Sequence, residues 1–446
     1  MFGSKEKSPQ ASEGEVTPTN GSKTDLETGE TGGLHRTLHS RHLQFIAIGG
    51  TIGTGLFLGS GKAIATSGPV GTLIAFIFIG SIVYSVMTAL CEMATYIPVP
   101  GAFTSYASRF IDPTLGFAMG WMYWFSWSIT FALELTAAGV IIQYWNDSLS
   151  IAIFISVFWV FIGFWSVLIT AGFSFQGSEL VGIGAGETKD PEKSVPSAVR
   201  WTFWGIFSLF VSTIFFVGLL VPSNDPSLLL DSQDASASPL VIAANLAGVK
   251  VLPDIINAVL LTAVLSAANS NVYSGSRILV SLANERCAPQ FMTWTNKFGT
   301  PYMAVATTSA VGLLAYMNLS ENGGVVFDWL LNVTAVAGFI SWSCINICHL
   351  RFMAALKAQN IPRSTLPYTA PLQPYLSWYG LFFNVLIILT NGFAVFIEWS
   401  TSDFFTAYVS VILFVVLLAG HKLFNRTMPL KAIDADVTTG TLRARS

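Results

Sequence analysis

Glycines interrupt an apolar stretch near the start of the chain, where a membrane-spanning helix would otherwise run unbroken. The segment 44–59 carries Gly49, Gly50, Gly53 and Gly55. Glycine weakens a helix and lets the backbone approach a ligand closely. At the start of a broken half-helix, free N–H groups could face an anion such as a carboxylate. Taken alone, the segment fits a small-residue surface for helix packing equally well.

A second glycine-interrupted apolar segment, 170–187, contains Gly172, Gly177 and the carboxylate of Glu179. Two such segments in separate halves of a chain are a sequence pointer to a transporter binding site, because broken membrane helices expose backbone groups inside the bilayer. The pair therefore favours binding over packing for both segments.

Other polar side chains fall inside apolar segments. Glu134 lies in one of them, where a carboxylate is costly unless it is paired, hydrated or protonated. It could bind a proton, a cation or a substrate amine, or it could be a hydrogen-bonded structural residue between helices. Within a later apolar segment, Ser266, Asn269 and Asn271 would line one or two helix faces. They are either a polar lining or hydrogen-bonding contacts between helices.

The sequence carries no catalytic or metal-binding pattern. We find no P-loop, HExxH or CxxC motif, no Ser/His/Asp set and no Cys/His spacing typical of a metal site. The four cysteines are predicted to be free thiols, and the five histidines to be solvated or interfacial near span ends. A net charge of −3 argues against a nucleic-acid surface. We therefore predict no enzyme, no metal and no nucleic-acid partner.

Composition places these residues in a membrane. The chain is 52% apolar and 11% charged, with a mean hydropathy of +0.60, too few charges for a soluble domain of this size. A spanning helix needs about 20 apolar residues. Segments of that length occur at 43–64, 69–93, 115–143, 203–221, 254–283, 303–319, 325–349, 376–397 and 403–424, with a tenth inside 149–186. They predict an all-α integral membrane protein surrounded by membrane lipid.

The distribution of basic residues predicts the orientation. With a cytosolic N-terminus and ten spans, all but Lys62 and Lys250 of the 22 Lys and Arg residues fall on the inside. Both termini are then cytosolic. Residues 1–33 are polar and are predicted to form a disordered tail, residues 34–426 the transmembrane domain, and residues 427–446 a C-terminal tail.

Five motifs together resemble those of fungal amino-acid permeases, the yeast-type family of the amino acid–polyamine–organocation superfamily. They are LHSRHLQFIAIGGTIGTGLF (38–57), EMATYIPVPGAF (92–103), FSFQGSELVG (173–182), PDIINAVLL (253–261) and HLRF (349–352). The resemblance extends from about residue 36 to 426. It implies a five-plus-five inverted-repeat fold with twelve spans in the plasma membrane. It also implies amino-acid uptake by alternating access in symport with protons, without a cofactor.

The resemblance also implies a substrate site. The substrate carboxylate would meet the backbone of Thr51, Ile52, Gly53, Thr54 and Gly55. The substrate amine would meet carbonyl groups of Phe173, Ser174, Phe175, Gly177 and Ser178. Glu134 and Glu179 would serve amine recognition or proton coupling. The sequence specifies neither the amino acid nor the oligomeric state. The absence of an acidic run near the site favours neutral substrates.

The chain departs from the family at one place. Residues 148–178 hold no charged side chain, and as one helix these 31 residues would be ~46 Å long. That exceeds one bilayer crossing but is too short for two. We therefore predict that helices four and six are fused near 149–186 and that helix five is absent, leaving about ten spans. In the family, helix five carries a lysine linked to proton coupling. The alternative is therefore a truncated, non-transporting permease or a nutrient sensor.

Overall fold

The computed structural model of the 446-residue chain describes residues 44, 60–99, 101–143, 185, 188, 190–222, 225, 238–249, 251–297, 299–319, 323–396 and 399–441. This part contains ten α-helices. They are α1 Ser60–Tyr96, α2 Ala102–Phe110, α3 Pro113–Gln143, α4 Pro191–Leu220, α5 Pro239–Leu246, α6 Leu252–Asn284, α7 Tyr302–Val311, α8 Gly323–Ala358, α9 Tyr375–Thr390 and α10 Thr401–Asn425. Short 3₁₀ helices at Gln290–Thr293, Gly312–Leu319, Arg363–Thr365 and Phe393–Phe396 extend or link them.

Five described helices are long and apolar enough to cross a bilayer. They are Gly68–Tyr96, Pro191–Leu220, Leu252–Asn284, Val333–Ala358 and Thr401–Asn425. Large apolar side chains such as Trp201, Phe216 and Leu219 are exposed on them, as expected where lipid replaces water around the protein. The prediction of an all-α integral membrane protein is confirmed.

Eight of the ten predicted spans fall on described helices, which are α1, α3, α4, α6, α7, α8, α9 and α10. The predicted spans at 303–319 and 376–397 each consist of an α-helix followed by a 3₁₀ helix. The predicted span at 43–64 lies mostly outside the described residues, and the span inside 149–186 lies almost wholly outside them. The total of ten crossings therefore stays a prediction.

Helix α1 is broken near its start. Gly68 has φ 68° and ψ 169°, which are not helical values, and Pro69 follows it inside the helix. Glycine adopts a positive φ without steric cost, and proline lacks the N–H that would continue the helix. The hydroxyl of Thr72 donates to the Gly68 carbonyl at 2.8 Å. The predicted span at 69–93 lies on the part of α1 that follows this break.

The core of the bundle includes an antiparallel pair, α3 and α6. At one level, Gly120 packs so closely on Leu282 that a Cβ atom at position 120 would clash with the leucine side chain. At another level, Ala138 and Val264 share a buried apolar cluster. Because 120 pairs with 282 and 138 with 264, the middle parts of the two helices lie side by side. This pairing positions the candidate site.

Basic side chains gather at the end of the bundle where α1 and α8 end and α3 begins, and we call this the basic end. There Asp112 caps α3, accepting a hydrogen bond from the Thr114 N–H at 2.8 Å. Lys422 of α10 lies 2.7 Å from the second carboxylate oxygen. Burial raises the pKa of Asp112, but hydrogen bonds from Lys422 and Thr427 outweigh it and hold this pKa below its usual value. Asp112 thus links α3 to α10.

Residues 427–441 pack across the basic end, and we call them the C-terminal segment. The Leu430 N–H donates to the Ile111 carbonyl at 2.7 Å, and the guanidinium of Arg351 donates to the Leu430 carbonyl. The amide of Gln359 donates to the Ala435 carbonyl at 2.6 Å. The sequence predicted only a polar tail here, because these partners lie tens to hundreds of residues away along the chain.

The C-terminal segment also contributes to the hydrophobic core. Ala435 and Val437 are 3% and 0% exposed and belong to the largest buried cluster. Arg109 donates to the Thr439 carbonyl at 2.9 Å and lies 4.0 Å from the Asp436 carboxylate. Burying Val437 stabilises the attachment by about 1.5–3 kcal/mol on the usual scale for a valine side chain.

Val437→Asp is expected to detach the C-terminal segment and lower the melting temperature of the purified protein, because a buried carboxylate would replace an apolar side chain. Ile433→Asp is the matched control, since Ile433 is 56% exposed. Melting curves in detergent check the comparison. Equal melting temperatures for the two variants would show that the segment does not depend on this apolar contact.

Candidate functional site

The structure describes only part of the predicted site. Outside the described residues lie Thr51, Ile52, Gly53, Thr54, Gly55, Phe173, Ser174, Phe175, Gly177, Ser178 and Glu179. Their roles stay predictions. The described members are Glu134 on α3 and Ser266, Asn269 and Asn271 on α6.

Glu134 is a buried carboxylate inside the helix bundle. Its exposed fraction is 4%, and its chain neighbours Leu133 and Leu135 belong to a buried cluster that also includes Ala268 and Val272 of α6. An ionisable group at such a depth is costly unless neighbours or a ligand compensate it, so its default interpretation is functional. The register of α3 and α6 brings Glu134 to the part of α6 that carries the predicted polar residues.

The part of α6 beside Glu134 carries polar side chains. Asn271 and Ser274, one turn apart, are fully buried, and neither side chain has a hydrogen-bond partner among the described residues. An unsatisfied buried amide or hydroxyl costs about 1–3 kcal/mol, so such groups normally face a ligand, water or another part of the chain. Ser266 is half-buried, and its carbonyl accepts a hydrogen bond from the Ser270 hydroxyl at 2.9 Å.

Helix α7 closes one side of α6. A Cβ atom at Gly275 would meet Thr308 Cγ2 at 2.7 Å, so the two backbones approach closely. The indole N–H of Trp124 donates to the Thr308 hydroxyl at 3.1 Å, tying α3 to α7 as well. These contacts fix the helices that carry Glu134 and Asn271.

A second cluster of charged residues, which the sequence motifs did not predict, lies at the basic end. Glu92 of α1 is fully buried. Arg363 holds it with two parallel hydrogen bonds, from Nε to Oε1 and from Nη2 to Oε2, both 2.6 Å long. The Ala370 N–H donates to Oε2 at 2.7 Å. The sequence signal was an acidic residue at the end of an apolar span, in the EMATYIP motif.

His349 of α8 joins the Glu92 cluster. Its Nε2 lies 3.3 Å from Glu92 Oε2, and its Nδ1 lies 2.9 Å from the hydroxyl of Ser377 in α9. His349 is fully buried, so the prediction of a solvated or interfacial histidine is wrong at this position. The cluster joins α1, α8, α9 and the 359–374 linker into one unit.

The described residues contain no group of three or more His, Cys, Asp and Glu side chains arranged to hold a metal ion. All four cysteines are free, with Cys91, Cys344 and Cys348 buried. Among the predicted site residues that the structure describes, the ionisable group is the buried carboxylate of Glu134.

Comparison with known proteins gives consistent matches. The family model described as amino acid permease matches residues 42–166 and 161–433. A lysine/arginine permease of Candida albicans is 41% identical over 490 aligned positions, covering 91% of this chain and 86% of the relative. The basic amino-acid permease of Saccharomyces cerevisiae is 38% identical, covering 93% and 86%. A proline-specific permease of Emericella nidulans is 36% identical, covering 91% and 88%.

Among solved structures, the manganese transporter of Eremococcus coleocola gives a TM-score of 0.48 at 11% identity, covering 85% of this chain and 92% of that one. Family membership follows from the sequence matches and does not depend on this weaker structural likeness.

Proposed function

The chain belongs to the amino acid permease family, and on that premise we propose that it takes up amino acids together with protons across the plasma membrane. The resemblance seen in the sequence motifs is confirmed. The relatives are named as permeases, which also confirms the prediction that the chain is not an enzyme.

The proposal is carried by the buried carboxylate of Glu134. A transporter that couples amino-acid movement to protons needs an ionisable group that is reachable from the substrate site and shielded from lipid. Glu134 is 4% exposed and lies beside the part of α6 where Asn271 and Ser274 lack partners among the described residues. Glu134 then binds the substrate amine or the coupled proton, and the α6 groups complete the polar lining.

The remaining parts of the mechanism come from the family. The backbone of residues 51–55 binds the substrate carboxylate, the carbonyls of residues 173–178 bind its amine, and Glu179 assists. Alternating access proceeds by motion of two inverted five-helix repeats. Broken helices suit this role, because half-helix ends present backbone groups without charged side chains.

The proposed orientation places the basic end in the cytosol. Arg109, Arg351, Arg363 and Lys422 all take part in contacts at this end. Positive charge concentrates on the cytoplasmic side of membrane proteins, so both tails are assigned to the cytosol.

The proposed fusion of helices four and six is supported by the pattern of the matches. The two segments matched by the family model meet at residues 161–166. The alignment with the Candida albicans relative has 490 positions against 446 residues in this chain, so at least 44 aligned positions have no residue here. We place the missing positions at helix five.

The names of the relatives rank the substrates to test first. Those from Candida albicans and Saccharomyces cerevisiae are named for lysine, arginine or basic amino acids, and the relative from Emericella nidulans is named for proline. Lysine and arginine are therefore the first substrates to test, and proline and other neutral amino acids come second. This order differs from the neutral preference that the sequence suggested.

Glu134→Gln is expected to lower uptake of radiolabelled amino acid by about tenfold or more in a permease-deficient host, the effect of losing a hydrogen bond to a charged group. Glu192→Gln, at an exposed position in the first turn of α4, is the control and should transport normally. A protonophore should abolish uptake by the unmodified chain. Normal, protonophore-sensitive uptake by Glu134→Gln would contradict the assigned role.

The predicted loss of helix five favours the alternative of a non-transporting permease. The same uptake assay distinguishes this alternative from the proposed transporter. The chain is compared with a version into which the fifth helix of a relative has been inserted. Uptake by the chain itself supports the proposal. Uptake only after restoration, with equal amounts of both proteins in the membrane, would overturn it.

A further inference from the structure

A cavity of about 230 Å³ opens between α1 and α4 towards the basic end. Its walls include the apolar side chains of Met87, Val199 and Phe203. Arg200 and Trp204 also line it, and we call them the edge residues because they are exposed. Arg200 lies nine residues after the start of α4 and just before the predicted span 203–221, so the opening is at the level of the membrane surface.

The cavity combines a cation and hydroxyl donors with apolar walls. The guanidinium of Arg200 has no ion pair or hydrogen bond within the described ranges. Tyr84 and Tyr368 also line the cavity, and their hydroxyl groups form no hydrogen bond with the residues that the structure describes. Lys193, two helical turns before Arg200 on α4, is exposed as well. The positive charge at the opening is therefore not neutralised by the described protein groups.

We propose that this cavity binds one anionic phospholipid, with its phosphate on Arg200 and the hydroxyls of Tyr84 and Tyr368, and its glycerol and upper acyl chain against Met87 and Val199. The positive charge of Arg200 and the position of the opening at the membrane surface favour an anionic lipid. Arginine with neighbouring donors suits a phosphate group, whereas the apolar walls would gain nothing from a small soluble anion. Anionic lipids are concentrated in the cytosolic leaflet, where the proposed orientation places the basic end.

Such a lipid would connect three parts of the protein. Tyr84 belongs to α1, Arg200 to α4, and Tyr368 to the 359–374 linker that also supplies Arg363 to the Glu92 cluster. A phosphate bound between them neutralises Arg200 and fills the space between α1 and α4. Binding is therefore expected to raise the melting temperature, whether or not the chain transports amino acids.

The test is native mass spectrometry of the full chain in mild detergent with phosphatidylserine or phosphatidylcholine. One phosphatidylserine should be retained in preference to phosphatidylcholine. Arg200→Gln should weaken retention by about tenfold or more, since it removes a charged hydrogen-bond donor. Arg286→Gln is the matched control, because Arg286 is exposed in the turn after α6 and does not line the cavity. It should bind phosphatidylserine normally.

Tyr84→Phe and Tyr368→Phe keep the rings and remove only the hydroxyls, so each should weaken retention by about threefold. If Arg200→Gln does not fold, these two tyrosine variants still test whether the cavity binds the lipid phosphate. Three results would overturn the proposal: equal retention of both lipids, equal losses for Arg200→Gln and Arg286→Gln, or unchanged retention in both tyrosine variants. Displacement by millimolar glycerophosphoserine would assign the site to a soluble phosphate instead.

Discussion

Arg363→Gln is expected to destabilise the protein by about 3 kcal/mol or more, the scale for removing one partner of a buried ion pair. Glu92 is fully buried, and Arg363 supplies both of its 2.6 Å side-chain hydrogen bonds. Without them the carboxylate keeps the Ala370 N–H at 2.7 Å and the His349 contact at 3.3 Å. Arg363 is itself 33% exposed, but the Glu92 side chain is 0% exposed and cannot exchange these hydrogen bonds for solvent without opening the fold.

Thermal unfolding in detergent measures this effect, with Arg286→Gln as the control for loss of one positive charge. The double variant Glu92→Gln/Arg363→Gln should recover part of the lost stability, because it removes the uncompensated charge as well as its partner. A melting temperature for Arg363→Gln equal to that of Arg286→Gln would show that the ion pair is not formed in the folded protein.

The Glu92 cluster is expected to be structural and not part of the amino-acid site. It joins the ends of α1 and α8, the start of α9 and the linker between α8 and α9. Glu134 lies elsewhere, on the part of α3 that packs against α6. Its loss should therefore reduce the amount of folded protein before it changes substrate preference.

Gly53→Val is expected to abolish amino-acid binding while leaving membrane insertion intact. In the proposed site, the backbone of residues 51–55 donates hydrogen bonds to the substrate carboxylate. A branched side chain at position 53 would crowd that backbone and restrict its φ angle. Hydrogen bonds to a charged group contribute about 1.5–3 kcal/mol each, so losing two would weaken binding by roughly a hundredfold or more.

Binding of radiolabelled lysine or arginine to the purified protein checks this result. Gly338→Val is the matched control, because Gly338 also lies in a predicted span and a Cβ atom there would meet nothing within 4 Å. The control should bind substrate normally. Normal binding by Gly53→Val would indicate that the first glycine-rich segment is a packing surface, the alternative that its sequence left open.

The sequence by itself determined that the protein folds in a lipid bilayer and that it is built of α-helices. Runs of about 20 apolar residues are long enough to cross a bilayer, and in lipid a helix satisfies every backbone hydrogen bond internally. The predicted spans at 115–143 and 254–283 accordingly match α3 and α6 closely. The family could also be identified from the sequence, because five motifs that resemble those of the family occur in order along the chain.

Only the tertiary structure decided which distant side chains meet. Glu92 and its partner Arg363 are 271 residues apart, and Lys422 reaches Asp112 across 310 residues. His349 became a buried member of a cluster, and a polar C-terminal tail became a packed segment with Val437 in the core. Hydropathy and motif spacing describe how a residue relates to its chain neighbours. The partners of a buried charge are fixed by how helices from remote parts of the chain pack, because each carboxylate removed from water is stable only beside donors that the folded bundle brings to it.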